Sequence, residues 1–139
     1  MEIIVKYESD WIFFDFNFEY MYSSFTIIPE YNKLIYLDCA YNQLTVLPKL
    51  PNSLIEFYCL DNRLTLLPKL PNSLQKLSCK GNQLSVLPKL PNSLKELYCF
   101  NNKLSVLPEL PSSLKEFWYI NNKFIKKIKH EYFIKIIYL

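Results

Sequence analysis

The chain has 139 residues, half of them apolar and 17% aromatic, with a single glycine, nine prolines and a net charge of +3. That apolar share excludes a disordered chain, and the length fits one domain. The charge is too mild to indicate a nucleic-acid partner, and no apolar run reaches the roughly 20 residues of a membrane-spanning helix.

Residues 1–33 carry two lysines against six carboxylates, a local net charge of −4. Ile3-Ile4-Val5 predicts a short strand, Glu8-Ser9-Asp10 a turn, and the alternating aromatics from Trp11 to Tyr22 a second strand with one buried face. The segment reads as an N-terminal β-hairpin cap. Phe25-Thr26-Ile27-Ile28-Pro29 follows as a worn half-repeat, echoing Leu44-Thr45-Val46-Leu47-Pro48. The start MEIIVKYESD shows no small-residue cleavage site of a secretory signal, and no Asn-x-Ser/Thr glycosylation site occurs. Both favour an intracellular protein.

From Leu34 to Phe124 the chain repeats every 20 residues without slip. LQKLSCKGNQLSVLPKLPNS (Leu74–Ser93) has close copies beginning at Leu34, Leu54 and Leu94, and a fifth copy opens at Leu114. A period of this length predicts a solenoid, one copy per turn. The fourth and sixth positions of each copy (Leu37 and Cys39, then Phe57 and Cys59, and so on) are apolar and alternate with variable residues. They predict short strands, buried on one side, that stack as a parallel sheet at about 4.8 Å spacing. The asparagines at 42, 62, 82, 102 and 122 stand where the chain leaves the strand, and an inward amide there can bond to neighbouring turns. Pro48-Lys49-Leu50-Pro51 and its copies exclude helix and predict an extended, polyproline-like return wall.

Residues 125–139 leave the pattern. Ile125, Ile128, Tyr132, Ile136 and Leu139 fit helical spacing, a strand over Tyr132–Tyr138 is the alternative, and either is a C-terminal cap. A basic amphipathic end of this kind also suits a membrane surface, but a cap is required in any case. Residues 114–139 hold six lysines against two glutamates, net +4.

The unit L-x-x-[LF]-x-C-x-x-N-x-L-x-x-L-P-x-L-P-x-S resembles the leucine-rich repeat, in the short 20-residue bacterial-type subclass found in bacterial effectors and in giant DNA virus proteins. The resemblance spans Leu34 to about Phe124, with the echo from Phe25. It implies an α/β solenoid: a short parallel sheet on the concave face, an extended convex face and a cap at each end. The domains expected are 1–33, 34–124 and 125–139. For function it implies protein–protein recognition through the sheet, as in a viral or effector-type protein acting in the cytoplasm of a host cell. Some such effectors carry a ubiquitin-ligase domain after the repeats, an activity that does not carry over to these residues.

No catalytic constellation accompanies the repeats. Cys39, Cys59, Cys79 and Cys99 fall in a line along the solenoid, where four sulfurs cannot converge on one metal ion. In-register parallel side chains also disfavour disulfides, so buried reduced thiols are expected. The PxxP motifs repeat an apolar leucine (Leu50, Leu70, Leu90, Leu110), which marks packing and not a docking ligand. His130 has no partner triad, and Gly81 alone makes no phosphate loop. No cofactor, metal or catalytic residue is expected.

The functional signal is the outward side of the strands, where copies differ. Tyr36, Tyr58, Leu60, Lys80, Glu96, Tyr98, Phe100, Glu116, Trp118 and Ile120 are the expected partner-binding residues. Tyr98, Phe100, Trp118 and Ile120 form an expected exposed apolar patch. An alternative role is structural: weak self-association through the oppositely charged ends.

Overall fold

The computed structural model describes residues 2–6, 11–15 and 31–123. Its centre is a seven-stranded sheet, in which β1 (Glu2–Lys6) lies between β2 (Trp11–Asp15) and five parallel strands that follow in chain order. Strands β3 (Tyr36–Asp38), β4 (Glu56–Tyr58), β5 (Lys76–Ser78), β6 (Glu96–Tyr98) and β7 (Glu116–Trp118) are parallel and in register at the repeat period, Leu37 opposite Phe57 opposite Leu77.

Each of these parallel strands is three residues long, but the pairing extends further. Ile55 N and Glu56 N both donate to Ile35 O, and beyond the strand Cys39 N donates to Tyr58 O and Tyr41 N to Leu60 O. The same bonds recur turn after turn. On another wall Arg63 N donates to Leu44 O, Gln83 N to Leu64 O and Lys103 N to Leu84 O. Every turn is thus tied to the next along two walls, and contacts are between nearest neighbours, as stacking requires.

Strand alternation sorts the side chains. Leu37, Phe57, Leu77 and Leu97 point inward with no exposed surface, as do all four cysteines and the leucines at 34, 54, 74 and 94. Each such leucine contributes about 1.5–3 kcal/mol on removal from water. Leu50, Leu70 and Leu90 of the LPxLP wall are also buried, so the PxxP segments are packed against the core. That wall is neither helix nor strand.

The corner after the strand needs a left-handed residue: Tyr41, Asp61, Gly81, Asn101 and Asn121 all have φ between 50° and 64°. The asparagine that follows fills the corner. Asn82 Nδ2 donates to Cys59 O, Cys79 O and Lys80 O, while its Oδ1 accepts from Leu64 N. One amide therefore bridges its own turn and the one before. Asn62, Asn102 and Asn122 repeat the arrangement. The serines at 53, 73, 93 and 113 add a second clamp: each Oγ donates to the carbonyl of the leucine 19 residues earlier.

The array is a parallel β-solenoid. Among the described residues the helical content is one 3-10 turn, Tyr31–Lys33, so the helix implied by an α/β architecture is not found there. The prolines and the tight 20-residue turn account for this, since neither leaves room for a helix. At the N-terminal side β1 (Glu2–Lys6) pairs antiparallel with β2 (Trp11–Asp15) and with β3, taking up the hydrogen-bonding edge of the first turn. The expected strand beyond residue 15, the half-repeat from Phe25, His130 and the C-terminal cap lie outside the described residues.

Candidate partner-binding face

Residues at the third, fifth and seventh positions of each copy point away from the core. The third and fifth share a face two residues apart, and their side chains pair. Tyr58 OH donates to Glu56 Oε2 at 2.8 Å, Tyr98 OH to Glu96 Oε2 at 3.0 Å, and Trp118 Nε1 to Glu116 Oε1 at 2.9 Å. The first turn reverses the order, Tyr36 OH donating to Asp38 Oδ2 at 3.4 Å. An aromatic ring and a carboxylate thus stand together on four of five turns.

The third turn breaks the pattern with Lys76 and Ser78. The Lys76 ammonium reaches Glu96 Oε2 at 2.7 Å and lies 5.8 Å and 5.6 Å from the ring centres of Tyr58 and Tyr98. Lys80 Nζ sits 5.5 Å from the Phe100 ring centre and 3.8 Å from Asp61 Oδ2. Ser78 is too small to fill the column between two tyrosines. The result is a shallow depression of about 390 Å³ over Ser78, walled by Tyr58, Tyr98, Leu60, Phe100 and Trp118 with Lys76 and Lys80 at its edge.

The structure gathers six of the ten expected residues there: Tyr58, Leu60, Lys80, Tyr98, Phe100 and Trp118. Glu96 and Glu116 lie on the same face as acceptors for Tyr98 and Trp118. Tyr36 packs tilted against Tyr58 with ring centres 5.3 Å apart, and Ile120 continues the column of Phe100 without lining the depression. The aromatic patch is half-buried, because Trp118 packs tilted against Tyr98 and Phe100 at 6.3 Å and 6.1 Å. Lys76 and Ser78 were not singled out from sequence. The available signal was a small residue in an otherwise aromatic column.

Burial and a carboxylate partner hold these phenols in the neutral, donating form. Desolvation and then Asp38 push Tyr36 up to about 12, and desolvation with Glu56 or Glu96 pushes Tyr58 and Tyr98 higher still. The hydrogen bond from Lys76 holds Glu96 below the ordinary carboxylate range against a smaller opposing effect of burial. The hydroxyls are committed to the carboxylates of Asp38, Glu56 and Glu96, which leaves ring faces as the contact surface.

A larger depression of about 730 Å³ lies between Lys69, Leu70, Asn72 and the matching Lys89, Leu90, Asn92. A smaller one of about 270 Å³ repeats it a turn earlier, so it is a by-product of stacking identical walls. The column Val46, Leu66, Val86 and Val106, 41–61% exposed, was not foreseen either. Among the described residues no group of histidines, cysteines and carboxylates converges to hold a metal, and no helix is long and apolar enough to cross a membrane.

A stack of 20-residue turns carrying an inward asparagine and an LPxLP wall defines the leucine-rich-repeat class. The Leucine Rich Repeat family profile matches residues 93–117. No curated protein matches the chain. Among solved structures, YopM from Yersinia enterocolitica is 36% identical with a TM-score of 0.68, the match covering 70% of this chain and 22% of that one. A Shigella effector LRR domain is 37% identical with a TM-score of 0.69, covering 70% and 44%. YopM of Yersinia pestis, described as a leucine-rich effector protein, is 40% identical with a TM-score of 0.62, covering 63% and 26%. This chain is a leucine-rich-repeat protein related to these bacterial effector repeat domains. It spans less than half the length of each. The likeness is to the leucine-rich-repeat array of these effector proteins.

Proposed function

We propose that the chain binds a protein partner through the outward face of its sheet, as an effector-type protein acting inside a host cell. Tyr58, Tyr98, Phe100 and Trp118 are the anchors, and Lys80, Glu96 and Glu116 set charge complementarity. The observation that carries this is convergence: the positions that differ from turn to turn meet around one depression, while the positions that repeat are spent on the core. Half-buried Trp and Tyr with neighbouring polar groups are the residue types that dominate binding energy at interfaces. Of the two origins that the repeat type suggests, viral and bacterial-effector, the similarity to the Yersinia and Shigella proteins supports the effector one.

A photo-crosslinking residue placed at Lys80 should capture a discrete partner from host-cell extract, and one at Lys89 on the opposite wall should not. Tyr98→Ala with Trp118→Ala should abolish the Lys80 product while the far-ultraviolet spectrum stays native. Equal capture from both positions would remove the site assignment. The alternative, end-to-end self-association through the acidic first 33 and basic last 26 residues, predicts oligomers in low salt that dissociate in high salt.

A further inference from the structure

We infer that the LPxLP wall, on the side of the solenoid away from the sheet, seats on an anionic phospholipid surface. This contact is independent of the one proposed for the sheet face. The wall has a period of its own. Leu44 and Leu50 are buried and Leu47 half-buried, while Gln43, Val46, Lys49 and Asn52 are exposed between them. A polyproline-like segment has three residues per turn, which sorts its side chains in this way. The second turn repeats the exposure at Arg63, Leu66, Lys69 and Asn72, and the third and fourth turns do so at the same positions.

Stacking turns these positions into columns. The second column is apolar: Val46, Leu66, Val86 and Val106 are 41–61% exposed. Cations flank it on both sides, Arg63 and Lys103 in the first column and Lys49, Lys69 and Lys89 in the third. Glu109 is the one carboxylate in the four columns; the other five acidic residues of the array stand on the strands or at the corner after them. Among the described residues, none of the three lysine ammonium groups has an ion-pair partner. Like charges on neighbouring turns repel one another, and an anionic surface turns that cost into attraction.

The uniformity of the columns favours lipid over an acidic protein. A protein partner is read by positions that differ from turn to turn, as on the sheet face. Here valine or leucine, then lysine, then asparagine recurs at each of the first three turns. A surface that repeats without variation fits a partner that is itself laterally uniform. Valine and leucine side chains enter the boundary between headgroups and acyl chains. Lysine stems lie along the same boundary and keep their ammonium groups at the phosphates. The apolar ridge is one residue wide and about 14 Å long over its three steps, so the contact is shallow and reversible. The sheet, on the far side, stays open to its own partner.

The test is co-sedimentation of the full chain with sucrose-loaded vesicles, either phosphatidylcholine alone or phosphatidylcholine with about 30% phosphatidylserine. The chain should pellet with the anionic vesicles, stay in solution with the neutral ones, and bind less as salt rises. Lys69→Glu with Lys89→Glu should weaken binding at least about tenfold. Lys95→Glu with Lys115→Glu makes the same change in net charge beside the strands and should weaken it no more than about twofold. Leu66→Ser with Val86→Ser should weaken binding without altering its salt dependence. All six side chains are on the surface, so a native far-ultraviolet spectrum is expected throughout. No binding to anionic vesicles, equal binding to neutral ones, or undiminished binding by the Lys69/Lys89 variant would each overturn the inference. Equal losses from the two lysine pairs would overturn it too, by assigning the attraction to net charge alone. So would a discrete protein product from a crosslinking residue at Lys89, which would give the wall to an acidic protein.

Discussion

The carboxylate of Asp61 occupies the space into which a β-carbon on Gly81 would project. Gly81 also has φ of 64°, in the left-handed region. Two independent constraints thus fall on the one glycine of the chain. Gly81→Ala should destabilise the fold by about 2 kcal/mol, from left-handed strain plus displacement of Asp61. Adding Asp61→Ala should return the steric part and leave the backbone part. Denaturant midpoints of the three variants separate the two, and a neutral Gly81→Ala would contradict the described corner.

Tyr41 stands at the equivalent corner of the first turn with φ of 55° and 76% of its surface exposed. A bulky aromatic is strained there, whereas asparagine, found at 101 and 121, tolerates the conformation. Tyr41→Asn should raise stability by about 1 kcal/mol, read as an increase in the thermal midpoint.

Asn82 is the clearest structural lever. Asn82→Ala strips Leu64 N of its acceptor inside the solenoid, while Cys59 O loses one donor but keeps Asn62 Nδ2, and the unpaired amide should cost about 1–3 kcal/mol. Asn82→Asp keeps the acceptor but cannot donate to the three carbonyls, so it should be at least as damaging at neutral pH. Urea unfolding curves give both values.

The four thiols are buried, free and pushed upward by desolvation, Cys79 to about 12. A native-state thiol reagent should modify none of them until the chain unfolds. The sign of the pH dependence follows. An unfolded thiol ionises near 9 and a folded one only near 12, so the folded state holds more protons between these values. Stability should be level below about pH 9 and fall above it. Cys79→Ala should flatten the alkaline decline.

Glu96 provides the acidic counterpart. Its depressed titration, caused first by Lys76, means a contribution present above the ordinary carboxylate range and lost as pH falls through the lowered value. Lys76→Met should shift the Glu96 carboxyl resonance toward higher titration pH in a nuclear magnetic resonance titration.

The inward positions were legible because each carries the same residue type at the same spacing: Leu34, Leu37, Cys39 and Leu44 are all without exposed surface, as alternation requires. The asparagine column was legible for the same reason, including the bonding of its inward amide to a neighbouring turn; which carbonyls that amide meets was not. The outward columns were legible as columns. What they do to one another was not, because contacts such as Lys76 with Tyr58 and Tyr98 join residues about a turn apart through side-chain reach. Ser78 matters by what it fails to fill. The strain at Tyr41 and the exposed column of Val46 are likewise properties of backbone angle and wall geometry, to which residue type alone is blind.

Because each turn leans only on its neighbours, residues 74–93 form a cassette that can be excised whole. Joining Ser73 to Leu94 would hand the amide of Asn102 the carbonyl that Asn82 now holds, so the scaffold would close over the gap. Tyr58 would then abut Tyr98, with Ser78, Lys76 and Lys80 gone together. A gene losing sixty nucleotides would erase the recess and invert none of the framework: in this architecture, specificity is edited by splicing rungs out of a ladder.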